Sequence, residues 1–450
     1  MTGILADLST CLWALVVNRI RELKEAGRME RAGVKGAFFA LSLCFVSALP
    51  LRAQEQTFLT ADDLKVSGYA DFGRFQLSDE ESRGSNGEVV SRVGARWGID
   101  KALNEHWSVM GKLHWMLWRN HATDISLFHI AGLKFDADMQ AALTWAVPTG
   151  EQTWQMARLG VYDYKYNADS RNLGEYLLRS EAYPTILESS QGKDLMAASH
   201  NRIAGVEYQR KESAFFTHTA LLYAEMFSQP VYDLNLAYIN TFGSGKMNVG
   251  FGVAWSRFVK LSASDSNTTI GNAQYDYIRS SGLTTEALKF SLRARAELLS
   301  LPRWNEAVVV YGEAALLGLK EDTLYYTDVT ERMPVMVGIS LPTAGILTSL
   351  AVEYEYFKNP YGDHRYEIRY APTPLPVLDD YSGALPNFTR DDHRWSVQAH
   401  RALNPWLDLK VRVASDHLRL RSWDGDYSIT APMTRSTRDW YFLARIEFHN

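Results

Sequence analysis

From Leu64 onward the chain alternates apolar and polar positions in runs of ten to thirteen residues, separated by turn-rich stretches. The last run is the clearest: Trp440, Phe442, Ala444, Ile446 and Phe448 share one face, and Tyr441, Leu443, Arg445 and Glu447 the other. A period of two predicts strands, and strands of this length with one apolar face suit a boundary between lipid and water. Lipid offers no partner to a backbone N–H or C=O, so such strands survive there only in a sheet that closes on itself. The expected fold class is therefore all-β, a closed antiparallel transmembrane β-barrel.

Sixteen strands are predicted, at 64–76, 88–99, 107–118, 135–147, 154–166, 201–210, 214–226, 231–241, 246–259, 285–299, 306–319, 332–341, 346–358, 393–402, 406–419 and 438–448. An even count keeps both termini on one side. Alternate connections are short, at 100–106, 148–153, 211–213, 242–245, 300–305, 342–345 and 403–405. Several carry turn chemistry, among them Pro148-Thr149-Gly150, Gly243-Ser244-Gly245 and Asn404-Pro405. The long connections, 119–134, 167–200, 260–284, 359–392 and 420–437, all fall on the other side. Parity places Leu127–Phe135 in a long loop rather than in a further strand. Trp97, Trp107, Trp145, Trp154, Trp304 and Trp406 gather beside the short turns, as an interfacial girdle requires. Pro334 argues against strand continuity at its position, since it has no N–H to give. A soluble sandwich or propeller would also alternate, with shorter strands and no reason to collect Trp at one end.

The N-terminus adds export. Residues 29–53 read as a signal peptide: Arg31 and Lys35, an apolar stretch from Ala37 to Leu49, then Leu51-Arg52-Ala53, with cleavage expected after Ala53 and Ala48 as the alternative. Residues 1–28 read as an upstream extension ahead of a start at Met29, and 54–63 as a short periplasmic N-terminus before the barrel at 64–450. Both cysteines, Cys11 and Cys44, precede the expected cut, and Leu43 is too bulky for a good lipoprotein box. The remaining chain has 40 basic and 48 acidic residues, a balance that disfavours general nucleic-acid binding. No stretch of eighteen uncharged apolar residues exists to make a membrane helix.

Alternation also assigns the charges. Lys or Arg facing mid-depth lipid costs about 2–4 kcal/mol, so charged faces turn to the lumen. Arg92, Arg96, Arg293, Arg295, Lys410, Arg412 and Arg445 are thereby predicted to point inward. Closure brings strands fifteen, sixteen, one and two together, and Lys410, Arg412, Arg445, Arg92 and Arg96 form one basic wall, with Asp71, Asp408 and Glu447 on it. The connection 167–200 carries Asn172-Leu173-Gly174-Glu175-Tyr176-Leu177-Leu178-Arg179, apolar near a 3.6 spacing, followed by Pro184. A short helix is expected there, folded toward the mouth or lumen, with Glu175, Glu181, Glu188 and Asp194 as a constriction loop facing the basic wall.

Sixteen alternating strands, with an acidic loop between the fifth and sixth opposed by inward arginines, resemble the general porins of Gram-negative outer membranes. The resemblance implies a passive diffusion channel for small hydrophilic solutes in outer-membrane lipid, with no cofactor, and frequently a homotrimer. One departure is the C-terminus, where His449-Asn450 follows Phe448 in place of a terminal aromatic residue. The basic wall gives the expectation of a preference for anions or acidic sugars. No enzyme is expected: Ser415-Asp416-His417 and Asp391-Asp392-His393 supply catalytic letters without a geometry, and His106, His114, His121 and His129 lack metal-ligand spacing. The rival is a non-conducting barrel serving as surface anchor, adhesin or assembly partner. Lumen bulk separates the two: Asn248, Gly250, Gly252, Ala254 and Ser256 favour an open pore, whereas Tyr162, Tyr164 and Tyr166 turned inward would partly fill it.

Overall fold

A computed structural model describes residues 63–76, 89–119, 133–178, 201–225, 234–259, 287–301, 306–319, 329–358, 392–415 and 440–450. The expectations for residues 1–62, for Glu181, Glu188, Asp194 and Trp304, and for most of the long loops lie outside these. Strands follow one another as β1 (Leu64–Gln76), β2 (Val89–Ala102), β3 (Trp107–Arg119), β4 (Leu133–Pro148), β5 (Trp154–Tyr164), β6 (Asn201–Ser213), β7 (Phe216–Glu225) and β8 (Leu234–Gly243). The second half comprises β9 (Met247–Val259), β10 (Ala287–Leu301), β11 (Glu306–Leu316), β12 (Val335–Leu341), β13 (Ser349–Phe357), β14 (Asp392–Asn404), β15 (Leu407–Ala414) and β16 (Trp440–His449). Each pairs antiparallel with its sequence neighbour and β1 pairs with β16, so the sixteen-strand barrel is closed.

Closure leaves no sheet edge in lipid, and the exposed face is the apolar one. Phe72, Val93, Leu113, Val206, Phe251, Leu292, Val337 and Ile446 are all exposed large hydrophobic residues on that face. Inward neighbours are buried instead: Tyr441, Leu443, Arg445 and Glu447 on β16. The short-turn end carries the aromatic girdle, where Trp406 stacks on Phe448 with ring centroids 6.3 Å apart and Trp97 meets Trp115 at 6.0 Å. Asn104 Oδ1 accepts the N–H groups of His106 and Trp107, and Asn404 Oδ1 that of Trp406, so an Asn side chain makes the turn in both places. Asn450 binds both the N–H of Val66 and the carbonyl of Leu64, tying the last residue to β1. Pro334 stands just before β12 rather than within it, which removes the missing N–H from the ladder.

The predicted short helix does not form among the described residues of its segment, 172–178. Residues 171–178 are bends and turns, with Gly174 at φ 80° and Glu175 at φ 61°. Two successive left-handed residues break any right-handed helix, and at Glu175, which has a Cβ, that conformation costs roughly 1–2 kcal/mol. The surroundings must therefore hold it in place.

Candidate functional site: a loop seated across the lumen

β5 and β13 lie eight positions apart in the sixteen-strand ring, on opposite walls. The segment that leaves β5 crosses between them. Its backbone cannot join the sheet, so its N–H groups need other acceptors. Three wall carboxylates supply them. Glu353 on β13 accepts from the N–H groups of Arg171, Asn172 (2.8 Å) and Leu173 (2.9 Å). Glu355 accepts from Gly174 at 3.4 Å. Glu313 on β11 accepts from Glu175 (2.9 Å) and Tyr176 (3.0 Å). Six consecutive backbone donors, 171 to 176, thus end on three carboxylates.

Hydroxyls complete the anchorage. Tyr176 donates to Glu355 at 2.7 Å, Tyr311 to Glu353 at 2.9 Å and Tyr166 to Glu313. The apolar side chains part to two walls: Leu173 and Tyr176 join Tyr311, Ala315, Leu317 and Met336. Leu177 and Leu178 instead join Tyr162, Tyr164, Tyr223 and Ile239. Glycines make the fit possible. A Cβ on Gly252 of β9 would come within 2.4 Å of Leu177 Cδ2, and one on Gly174 within 2.7 Å of Met336 Cε. Gly252 and Ala254 of β9 are therefore a socket for the loop. Tyr162 and Tyr164 do turn inward, where the loop covers them.

Glu175 sits at the centre of the seat, fully buried. Its carboxylate accepts from the N–H groups of Asn167 (2.5 Å) and Tyr166 (3.4 Å), and Asn167 Nδ2 reaches on to Glu313 at 3.0 Å. Burial pushes the Glu175 carboxyl up to about 7, against the pull of the Lys165 ammonium and with added push from Glu313. Burial likewise lowers Lys165, whose Nζ donates to Ser170 O (2.7 Å) and Oγ (2.8 Å). Glu175 therefore faces Lys165 and Glu313, not the basic wall.

The seven predicted inward cations divide into two groups. On β10, Arg295 pairs with Asp169 of the loop at 3.0 Å, while Arg293 donates to Thr241 and lies 5.6 Å from the Tyr166 ring centroid, so both belong to the loop seat. The other five share adjoining strands: Asp71 is in register with Arg445 on one side and Arg92 on the other, and Lys410 with Arg445. Arg445 makes a two-pronged pair with Asp71 at 2.5 and 2.7 Å, and lies 3.9 Å over the Tyr69 ring. Glu447 accepts from both Arg96 and Lys410, the latter at 2.7 Å. Arg96 and Lys410, nearer the short-turn end, keep 28% and 27% of their side-chain surface exposed. Arg445, level with Lys410, and Arg412, two residues further toward the long-loop end, are almost wholly buried. The wall thus opens toward the short-turn mouth.

Many residues of this site were not singled out from the sequence, among them Lys165, Asp169, Tyr311, Glu313, Glu353, Glu355 and Arg394, which is in register with Glu355. A signal for two of them was present in Glu353-Tyr354-Glu355, two carboxylates on the inward parity of one strand.

No protein-family model matches this sequence, and no curated protein does. Among solved structures, a triple mutant of the Rhodopseudomonas blastica porin aligns at 10% identity with a TM-score of 0.41, over 86% of this chain and 100% of that one. A second triple mutant of that porin aligns at 10% identity and a TM-score of 0.40 over the same shares. The barrel and its strand order stand on this chain's own pairing.

Proposed function

We propose that the protein is a porin-like channel of a bacterial outer membrane, reached through cleavage of the 29–53 signal, that passes small hydrophilic solutes by diffusion. The carrying observation is the combination of a closed sixteen-strand barrel, wide enough for an aqueous lumen, with a loop that spans it from β5 to β13. The loop narrows the path and sets its size limit. The accessible cations Arg96 and Lys410 share one carboxylate, Glu447, and this favours small anions or acidic sugars at the short-turn mouth. Assembly into a homotrimer, as the porin resemblance implies, would leave each lumen separate.

A second reading, a non-conducting surface anchor or assembly partner, has its own support: Tyr176, Leu177, Leu178, Tyr441 and Leu443 are wholly buried at inward or loop positions. Current through a planar bilayer separates the two. Steady openings with an anion-selective reversal potential, reduced when Arg96 and Lys410 are replaced by Ser, support the channel. A folded, heat-modifiable barrel without current would leave the anchor reading.

A further inference from the structure

Inside the lumen, Glu175 and Glu313 form a buried carboxylate pair. Asn167 bridges them, donating its backbone N–H to Glu175 and its side-chain amide to Glu313, and the N–H of Glu175 itself ends on Glu313. Among the described residues, the charged and titratable groups around Glu175 come from the loop and three walls. Lys165 and Tyr166 of the loop, Tyr164 of β5, Arg293 of β10 and Glu313 of β11 act on it directly, and Arg171, Tyr311, Glu353 and Glu355 lie further along the same seat. Glu353 and Glu355 hold the neighbouring amides, so the seat gathers four carboxylates around one short segment. Two like charges in one dry site cannot both ionise without loss, and such a pair holds a proton. A loop released into the aqueous lumen would free Glu175 from that constraint.

We propose that seating of the 165–178 loop is coupled to uptake of one proton by Glu175, so that the loop is a proton-dependent latch, held in mildly acidic medium and loosened toward neutral pH. The direction follows from linkage. The raised carboxyl of Glu175 favours the seated state fully below the ordinary carboxylate range, and that favour is lost as pH rises toward about 7. Above that value both states are ionised at Glu175 and the dependence levels off. The latch is a property of the loop and holds whether or not the lumen conducts.

The test uses the membrane-assembled protein with Cys11→Ser and Cys44→Ser, and a nitroxide on Ala168→Cys, an exposed loop position. Its spectrum gives the ratio of released to seated loop from pH 5 to 8.5. One coupled proton makes that ratio rise about tenfold per pH unit up to near pH 7 and then flatten. Glu175→Gln, close in shape and unable to ionise, should remove the rise. Lys165→Met, which deletes the cation that favours ionised Glu175, should move the plateau to higher pH. A pH-invariant spectrum in the parent overturns the proposal, as does a rise that survives Glu175→Gln or a plateau that moves down in Lys165→Met. Current is not needed for any of these readings, so loss of the channel reading and loss of the latch are distinguishable.

Discussion

Glu353→Gln is the substitution whose consequence can be worked most fully. Oε1 of Glu353 receives the Arg171 N–H and the Tyr311 hydroxyl, and Oε2 receives the Asn172 and Leu173 N–H groups. A Gln can keep its carbonyl oxygen where two N–H donors converge, at Oε2, and place its NH2 at the other site. Tyr311 can rotate to accept from that NH2, but the Arg171 N–H cannot, and one half-buried donor is left without an acceptor at a cost of about 1–3 kcal/mol. The two retained bonds change from charge-assisted to neutral, about 1 kcal/mol each. The anchorage weakens by roughly 3–5 kcal/mol in total, which raises the population of the released loop from about a hundredfold to several thousandfold.

Amide hydrogen exchange read by mass spectrometry measures this directly, because peptides covering 171–176 report the six anchored donors. Exchange there should accelerate by about two to nearly four decades, while peptides from β1 and β16 stay protected. Glu105→Gln, on an exposed short turn, is the matched control. Unchanged exchange at 171–176 in a folded Glu353→Gln barrel would refute the claim that the carboxylate holds the loop. Larger unitary current in the same variant would connect the loop to permeation.

Three further outcomes follow. Asp71→Asn should lower barrel stability in urea unfolding by about 3–5 kcal/mol, since it removes the charge of a buried two-pronged pair with Arg445 at the β1–β16 seam, and Asp71→Leu with Arg445→Met should recover much of that loss. Gly174→Ala should speed exchange in 171–176 without altering urea unfolding of the strands, because its φ of 80° and the 2.7 Å approach to Met336 together cost about 1–3 kcal/mol of loop seating. N-terminal sequencing of the exported chain should begin at Gln54, as the Leu51-Arg52-Ala53 boundary predicts.

The barrel could be read from the sequence because lipid imposes one rule on every strand: alternate positions must be apolar along its whole length. The rule recurs sixteen times, so parity checks the count; of Leu127–Phe135, placed in a loop by parity, Leu133–Phe135 instead open β4 and 127–132 lie outside the described residues. Strand ends were read less closely. The segment expected over 332–341 begins at Val335, where the first free N–H after Pro334 becomes available. The contiguity of Arg92, Arg96, Lys410, Arg412 and Arg445 followed from alternation plus closure, and the register places them on adjoining strands. What alternation could not give was the partition of the cations. Arg293 and Arg295 look identical to the others in sequence, and only the path of the loop assigns them to Asp169 and Tyr166.

The loop itself shows why a lumen is harder to read than a lipid face. Leu173, Tyr176 and Leu177 recur near a helical spacing, yet so short a pattern describes equally well a turn that sends Leu173 and Tyr176 to β11 and β12 and Leu177 to the β5–β9 side. Lipid demands one chemistry everywhere, whereas a lumen-facing position can meet water, another wall or an infolded segment. Small residues show the same ambiguity. Gly252 and Ala254 suggested space for water, and that space is taken by Leu177, whose Cδ2 a methyl group on Gly252 would strike. Inward carboxylates are ambiguous in the same way: Glu313, Glu353 and Glu355 would be ordinary lumen charges were the loop absent, and with it present they accept six backbone N–H groups that no strand could. The sequence features that fix the barrel are repeated and independent of one another, while those that fix the lumen are single and mutually dependent. Any residue of the seat is therefore legible only after the loop has been placed.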